Sequence, residues 1–337
     1  MTVKASWYAS QLRLELGLRN RQYARGSAHV ESYGDPPVIV YAPENGRHGN
    51  FFAAAYTAIT VRPESMRRFD KVHAQAARSL PKPDLEPARR WRELDSSMSS
   101  DALLMNVFCT PGVAESTAVR NALGVEGDEA PVFGWKARVP LTGGRFDRTE
   151  VDMRLGSLLV EAKLTEGDFQ AREAGIVESY RDFDAVFERD LLPRVELPLK
   201  RRKEASEFPE AYSQEFESVV AAESELRLNT PMRELLDARD TGYASYQLIR
   251  NVLAAYAGGC SFCVLHDERR PDLREEWYRV MAAVKSAEMR VRLKVLTWQE
   301  LAALLPCELR QFLELKYGIA APGCSAPHVP ETDEFPM

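Results

Sequence analysis

The chain has no apolar run approaching the ~20 residues that a membrane span requires. Its first residues, "MTVKASWYASQLRLELGLRNRQ", are interrupted by Arg and Glu and hold no apolar core of signal-peptide length. Together these read as a cytoplasmic protein without a membrane partner. Cysteine is scarce: five residues, an odd number and thinly spread, exclude a disulfide framework. Cys260 and Cys263 form a CxxC inside "CSFCVL", a strand-like run in which residues three apart point to opposite faces, and no second pair follows, so buried thiols are expected rather than zinc ligands. The sequence also lacks GxxxxGK[ST], GxGxxG after a strand, GxSxG and HExxH. An ATP motor, a dinucleotide enzyme, a serine hydrolase and a zinc protease each need one of those motifs.

Excess positive charge is missing too. The 337 residues carry a net charge of −6, with the first hundred at +5 and the remainder at −11. Attraction to a polyanion would therefore come from local patches such as Arg67/Arg68, Arg89/Arg90/Arg92 and Lys200, Arg201, Arg202 and Lys203. Each of these, taken alone, also suits a solvated helix face or a linker.

What is present is an alternation of elements. A mixed N-terminal extension covers 1–95, with a helix over about 5–22, a short strand in "GDPPVIVYAP" and a helical pattern in "ESMRRFDKVHAQAARSL". His48 has no partner histidine nearby and reads as a loop residue. Ser99 or Ser100 then caps a helix whose apolar positions are Leu103, Leu104, Val107 and Phe108. Strands follow at about 132–139, 149–155 and 158–164, then an acidic, mostly helical insertion over 165–240. A helix ended by Gly-Gly, a strand over 261–266, another helix and a last strand complete a core spanning 96–305. A C-terminal helix and a proline-rich, acidic, disordered tail occupy 306–337. Such an order is α/β with a mixed central sheet.

One segment carries chemistry: "TEVDMRLGSLLVEAKL", Thr149 to Leu164. With Gly156-Ser157 as a two-residue type II′ turn, Leu155 faces Leu158, Met153 faces Val160 and Val151 faces Ala162, giving one apolar face with Leu164. The opposite face then sets Asp152 across from Glu161 and Glu150 across from Lys163. Like charges at cross-strand distance destabilise a sheet. A divalent cation reverses that sign, because paired carboxylates are hard-oxygen ligands. The other reading is an exposed hairpin with one Glu150–Lys163 ion pair and an ordinary neighbouring repulsion.

At these residues the sequence resembles the PD-(D/E)XK, or restriction-endonuclease-like, nuclease superfamily, and more narrowly an uncharacterised bacterial group within it. The pattern is Asp152, eight residues, then Glu161-Ala162-Lys163, with Val151 where the family pattern has proline. The resemblance implies an αβββαβ core with a mixed central sheet, an N-terminal extension and a helical insertion. It implies Mg²⁺ or Mn²⁺ held by Asp152, Glu161 and the Ala162 carbonyl, with Lys163 orienting water or stabilising developing charge. Glu150 would tune Lys163 or assist a second metal, and Asp101 would add an acid from the first helix. Gln247 would lie near the active site, on a helix stripe with Arg250, Asn251 and Ala254. The implied activity is a metal-dependent nuclease acting on nucleic acid, with DNA the first choice, in restriction, defence or repair. The alternative is a catalytically silent nuclease-fold protein that binds nucleic acid or a protein partner. A third reading gives 165–240 to target recognition or to assembly of a homo-oligomer.

Overall fold

The structure is a computed structural model that describes residues 7–32, 37–71, 92–197 and 240–322. The C-terminal tail from 323, the second half of the helical pattern before residue 92 and the part of the insertion from 198 to 239 lie outside the described residues.

A five-stranded sheet organises the core. Its strands are β1 (Val132–Pro140), β2 (Phe146–Leu155), β3 (Leu158–Ala162), β4 (Ser261–His266) and β5 (Leu293–Thr297). They lie in the order β5-β4-β3-β2-β1. The first three form an antiparallel meander, and β4 pairs in parallel with both β3 and β5. Parallel neighbours need crossovers, which the helices supply. This is a restriction-endonuclease-like αβββαβ arrangement, with the mixed sheet that the residue pattern implies.

Both faces of the sheet are covered. On one lie α1 (Trp7–Tyr23), α3 (Ser100–Phe108) and α6 (Cys307–Tyr317), burying Leu12, Leu16, Leu104, Val107, Leu309 and Leu313 against Met153, Val160 and Leu265. On the other lie α4 (Tyr246–Ala257) and α5 (Pro271–Ala283), whose Leu248, Val252, Trp277 and Val280 pack on Leu159, Phe262 and Val264. A short helix of the N-terminal extension, α2 (Pro63–Phe69), lies beside β1. No described helix is long and apolar enough to cross a membrane.

Local rules explain the key elements. Ser99 caps α3, its hydroxyl accepting from the Ala102 N–H at 3.1 Å, as the serine cluster suggests. Gly156 takes φ +56° and Ser157 does not take a positive φ, as a type II′ turn requires. The ladder pairs Leu155 with Leu158 and Met153 with Val160, the register read from the alternation. Cys260 and Cys263 are free and buried. His48 is not a loose loop residue: it is buried among Phe51 and Phe69, with Nε2 3.0 Å from Asp95.

The segment read as a mostly helical insertion also contains strands. Arg172–Glu173, Arg194–Leu197 and Asp240–Tyr243 form a small antiparallel sheet, joined by short helices at Ala174–Glu178 and Phe183–Val186. Gly242 lies in its central strand, where a Cβ would meet the Arg172 carbonyl at 2.5 Å. Only a residue without a side chain tolerates so close an approach.

Candidate active site

The hairpin keeps its register up to Met153–Val160, and there the ladder ends. On the other side of β2, the ladder pairs Phe133 with Met153 and Trp135 with Val151 but skips Gly134 and Asp152, and Gly134 adopts φ +59°. Asp152 therefore sits where β2 loses regular pairing on both flanks. Two expectations change as a result. Val151 does not share the face of Met153 and Leu155 but packs in the opposite core layer, because the kink at Gly134 turns the strand. Glu150 does not face Lys163: β2 leaves β3 at Asp152 and follows β1, which pairs Glu150 with Lys136.

The gap that opens between β2 and β3 holds the acids. Asp152 Oδ2 accepts the Ala162 N–H at 2.8 Å, so its carboxylate turns toward the third strand. Glu161, only 3% exposed, accepts from Asn251 Nδ2 at 2.7 Å and pairs with the Lys163 ammonium at 2.8 Å. Burial pushes Asp152 well above the usual carboxylate range, and the negative charges of Glu161 and Asp101 push it further. Asp101 is pushed up to about 6 by burial, opposed by Arg68. Burial alone would depress the Lys163 ammonium, but Glu161, Glu166 and Asp152 outweigh it and raise its pKa. The site is an electronegative cluster with one internal ammonium.

The backbone at Lys163 is pinned on both sides. Its N–H donates to the Leu265 carbonyl at 2.8 Å, and its carbonyl accepts the Trp298 indole N–H at 3.0 Å. Glu166 ties the following turn to α3, accepting the Leu164 N–H at 2.7 Å and the Ser100 hydroxyl. Arg270, fully buried, donates to the carbonyls of Leu164 at 3.1 Å and Glu166 at 2.7 Å. Such outer contacts hold a functional side chain in one geometry.

An acidic shell lies on the α2 side. Arg68, 7% exposed, pairs with Asp101, with Glu93 at 3.2 Å and with Glu150 at 3.7 Å. Lys71 holds Glu150 at 2.6 Å. Glu150 thus answers to Arg68 and Lys71. A Cβ at Gly134 would meet the Arg68 side chain at 3.2 Å, so the glycine also leaves room for the arginine.

Asp152, Glu161, Ala162 and Lys163 come together, and Asn251 joins them directly. Gln247, one turn away on the same helix, touches none of them through its carbonyl: its Oε1 is buried without a donor, as is Asn251 Oδ1. The stripe Gln247–Arg250–Asn251 was visible as a helical period, but spacing alone does not say which of its members reaches Glu161. Arg68 and Glu166 had no comparable signal, since one lies far upstream and the other follows the motif as an ordinary loop acid.

These groups fit a divalent cation. Among the described residues no three His, Cys, Asp or Glu side chains converge to hold one, so a cation here would take two carboxylates and a backbone carbonyl at most from the protein, with water and substrate completing its shell. Interacting carboxylates, one buried and one half-buried, and buried amide oxygens without donors are the features that a cation and its water shell satisfy.

The family model for restriction endonucleases associating with ARP matches residues 18–318. The chain belongs to that family. No curated protein and no solved structure matches the chain. The match runs from the last turns of α1 through the whole sheet to the end of α6, so it covers Arg68 and Glu150 as well as the hairpin.

Proposed function

We propose that this restriction-endonuclease family member is a divalent-metal-dependent nuclease that hydrolyses phosphodiester bonds in DNA. One observation carries the reading: the buried acid Glu161 and the half-buried Asp152, whose carboxylate accepts the N–H of Ala162, the residue after Glu161, interact at a break in the sheet, with the Lys163 ammonium 2.8 Å from Glu161. Asp152, Glu161 and the Ala162 carbonyl would hold Mg²⁺ or Mn²⁺. When bound, the cation neutralises phosphate charge and makes a coordinated water acidic. Asn251 fixes one oxygen of Glu161, leaving the carboxylate a single orientation. Lys163 places a positive charge where negative charge develops on the phosphate, and its three donors orient a water. Arg68 and Lys71 hold Glu150 and Asp101 as an outer acidic layer that sets the field around Asp152. The family's description names association with ARP, so an ARP partner belongs to the same proposal.

Closed circular and linear DNA incubated with the full chain provide the test. Cleavage is expected with Mg²⁺ or Mn²⁺, none with EDTA, and at least about a 10³-fold lower rate for Asp152→Asn. Absence of cutting with every metal, or an Asp152→Asn variant as fast as wild type, overturns the reading. Binding of DNA without cutting would favour a silent nuclease-fold protein instead.

A further inference from the structure

About one and a half turns of α4 from Asn251, two arginines lie around a single phenol ring, that of Tyr246. The guanidinium carbons of Arg172 and Arg250 lie 5.9 and 5.2 Å from the centroid of the Tyr246 ring. Tyr246 is itself fixed, its hydroxyl 2.9 Å from the Tyr180 hydroxyl, which donates to Asp147 at 2.5 Å. Arg172 is held by the small sheet, where it pairs with Tyr243 three residues before Tyr246.

Acids are not scarce in this region, and the other arginines use them. Arg189 pairs with Glu178 and Asp184, Arg194 with Glu178, and Arg181 with Asp182. Arg172 and Arg250 have no carboxylate partner among the described residues, although both are half-buried and each has a buried Nε without an acceptor. Two like charges gathered on one ring, with donors turned inward and unsatisfied, are the arrangement a bound anion stabilises. Arginine suits phosphate in particular, because its planar fork matches two oxygens at once.

We propose that Arg172 and Arg250, presented around Tyr246, clamp an internal phosphate of the DNA backbone beside the site where Asp152 and Glu161 lie. The proposal rests on the nuclease reading for its ligand and deepens it by naming a second point of contact. A rise of ~1.5 Å per residue places Tyr246 about 7.5 Å along α4 from Asn251, so the clamped phosphate is a neighbour of the scissile one rather than that phosphate itself. Arg172 comes from the segment inserted after the hairpin, which gives that segment a part in holding substrate.

The test measures binding of the full chain to a DNA duplex lacking terminal phosphates, in EDTA, over a series of salt concentrations. Replacing both arginines (Arg172→Gln with Arg250→Gln) should raise Kd several-fold and reduce the slope of log Kd against log salt by about one, the signature of one lost phosphate contact. The paired Arg→Lys variant keeps both charges on the ring; it should retain the slope and confirms that the fold tolerates change there. Unchanged Kd and slope in the Gln pair, or no duplex binding by wild type, overturns the clamp. A Mn²⁺ titration of the same proteins separates the two ideas: wild type without metal binding sinks the nuclease reading and leaves the clamp standing, whereas normal metal binding with an unaltered salt slope sinks only the clamp.

Discussion

Lys163→Ala is expected to slow DNA cleavage by at least about 10³-fold while leaving metal affinity undiminished. The ammonium sits 2.8 Å from Glu161 with both side chains almost wholly buried, and its backbone is fixed by Leu265 and Trp298, so no neighbour can take its place. Removing one member of a buried pair strands the other charge, which costs roughly 3–5 kcal/mol in the metal-free protein. A divalent cation on Glu161 would restore the missing compensation. Thermal unfolding should therefore show a lower Tm for metal-free Lys163→Ala, and a larger rise on adding Mn²⁺ than wild type shows. A variant that cuts at the wild-type rate would remove Lys163 from the mechanism. A variant that loses Mn²⁺ binding would mean that the amine shapes the site rather than acting beside it.

Arg270→Ala is expected to be the most destabilising change away from the acids, by about 3–5 kcal/mol. Arg270 is fully buried at the start of α5 and donates to three carbonyls, those of Leu164, Glu166 and Gly167, and to Asp272 at 2.9 Å. Truncation leaves those carbonyls buried without a donor and opens a cavity next to the turn that carries Glu166. Urea unfolding followed by circular dichroism measures the loss. A change below about 1 kcal/mol would indicate that water replaces the guanidinium without cost and that the turn after Lys163 is held by Glu166 and Ser100 instead.

The hairpin was readable because side chains in a strand alternate with period two, so an apolar face fixes its register and places both acids on the other face. That inference holds through Met153–Val160. It fails at Asp152, where Gly134 takes a left-handed φ on a neighbouring strand and ladder pairing is lost on both sides of the acid. No pattern within 149–164 encodes a glycine eighteen residues upstream of Asp152. Val151 and Glu150 therefore go elsewhere, the first into the opposite core layer and the second to Arg68 and Lys71. Arg68 was legible only as part of a basic pair on a helix, since its pairing with Asp101 depends on tertiary packing of the extension against β1. Gln247 and Asn251 share a helical stripe, and helical period cannot rank them; the separation between α4 and β3 decides that Asn251 reaches Glu161. The insertion reads as acidic and mostly helical, yet Arg172–Glu173, Arg194–Leu197 and Asp240–Tyr243 pair as strands, because the tight approach at Gly242 and the pairing with Arg194–Leu197 are long-range contacts.

The account depends on a cation shared by Asp152 and Glu161, and calorimetric titration with Mn²⁺ tests this most directly. Because Asp152 holds its proton to unusually high pH, metal must displace that proton, and affinity rises with pH, by up to about tenfold per unit for one proton released. Wild type is expected to bind Mn²⁺ more tightly at pH 8 than at pH 6, with proton release, and Asp152→Asn to bind none. Equal binding by wild type and Asp152→Asn, or no binding by wild type at either pH, would contradict it.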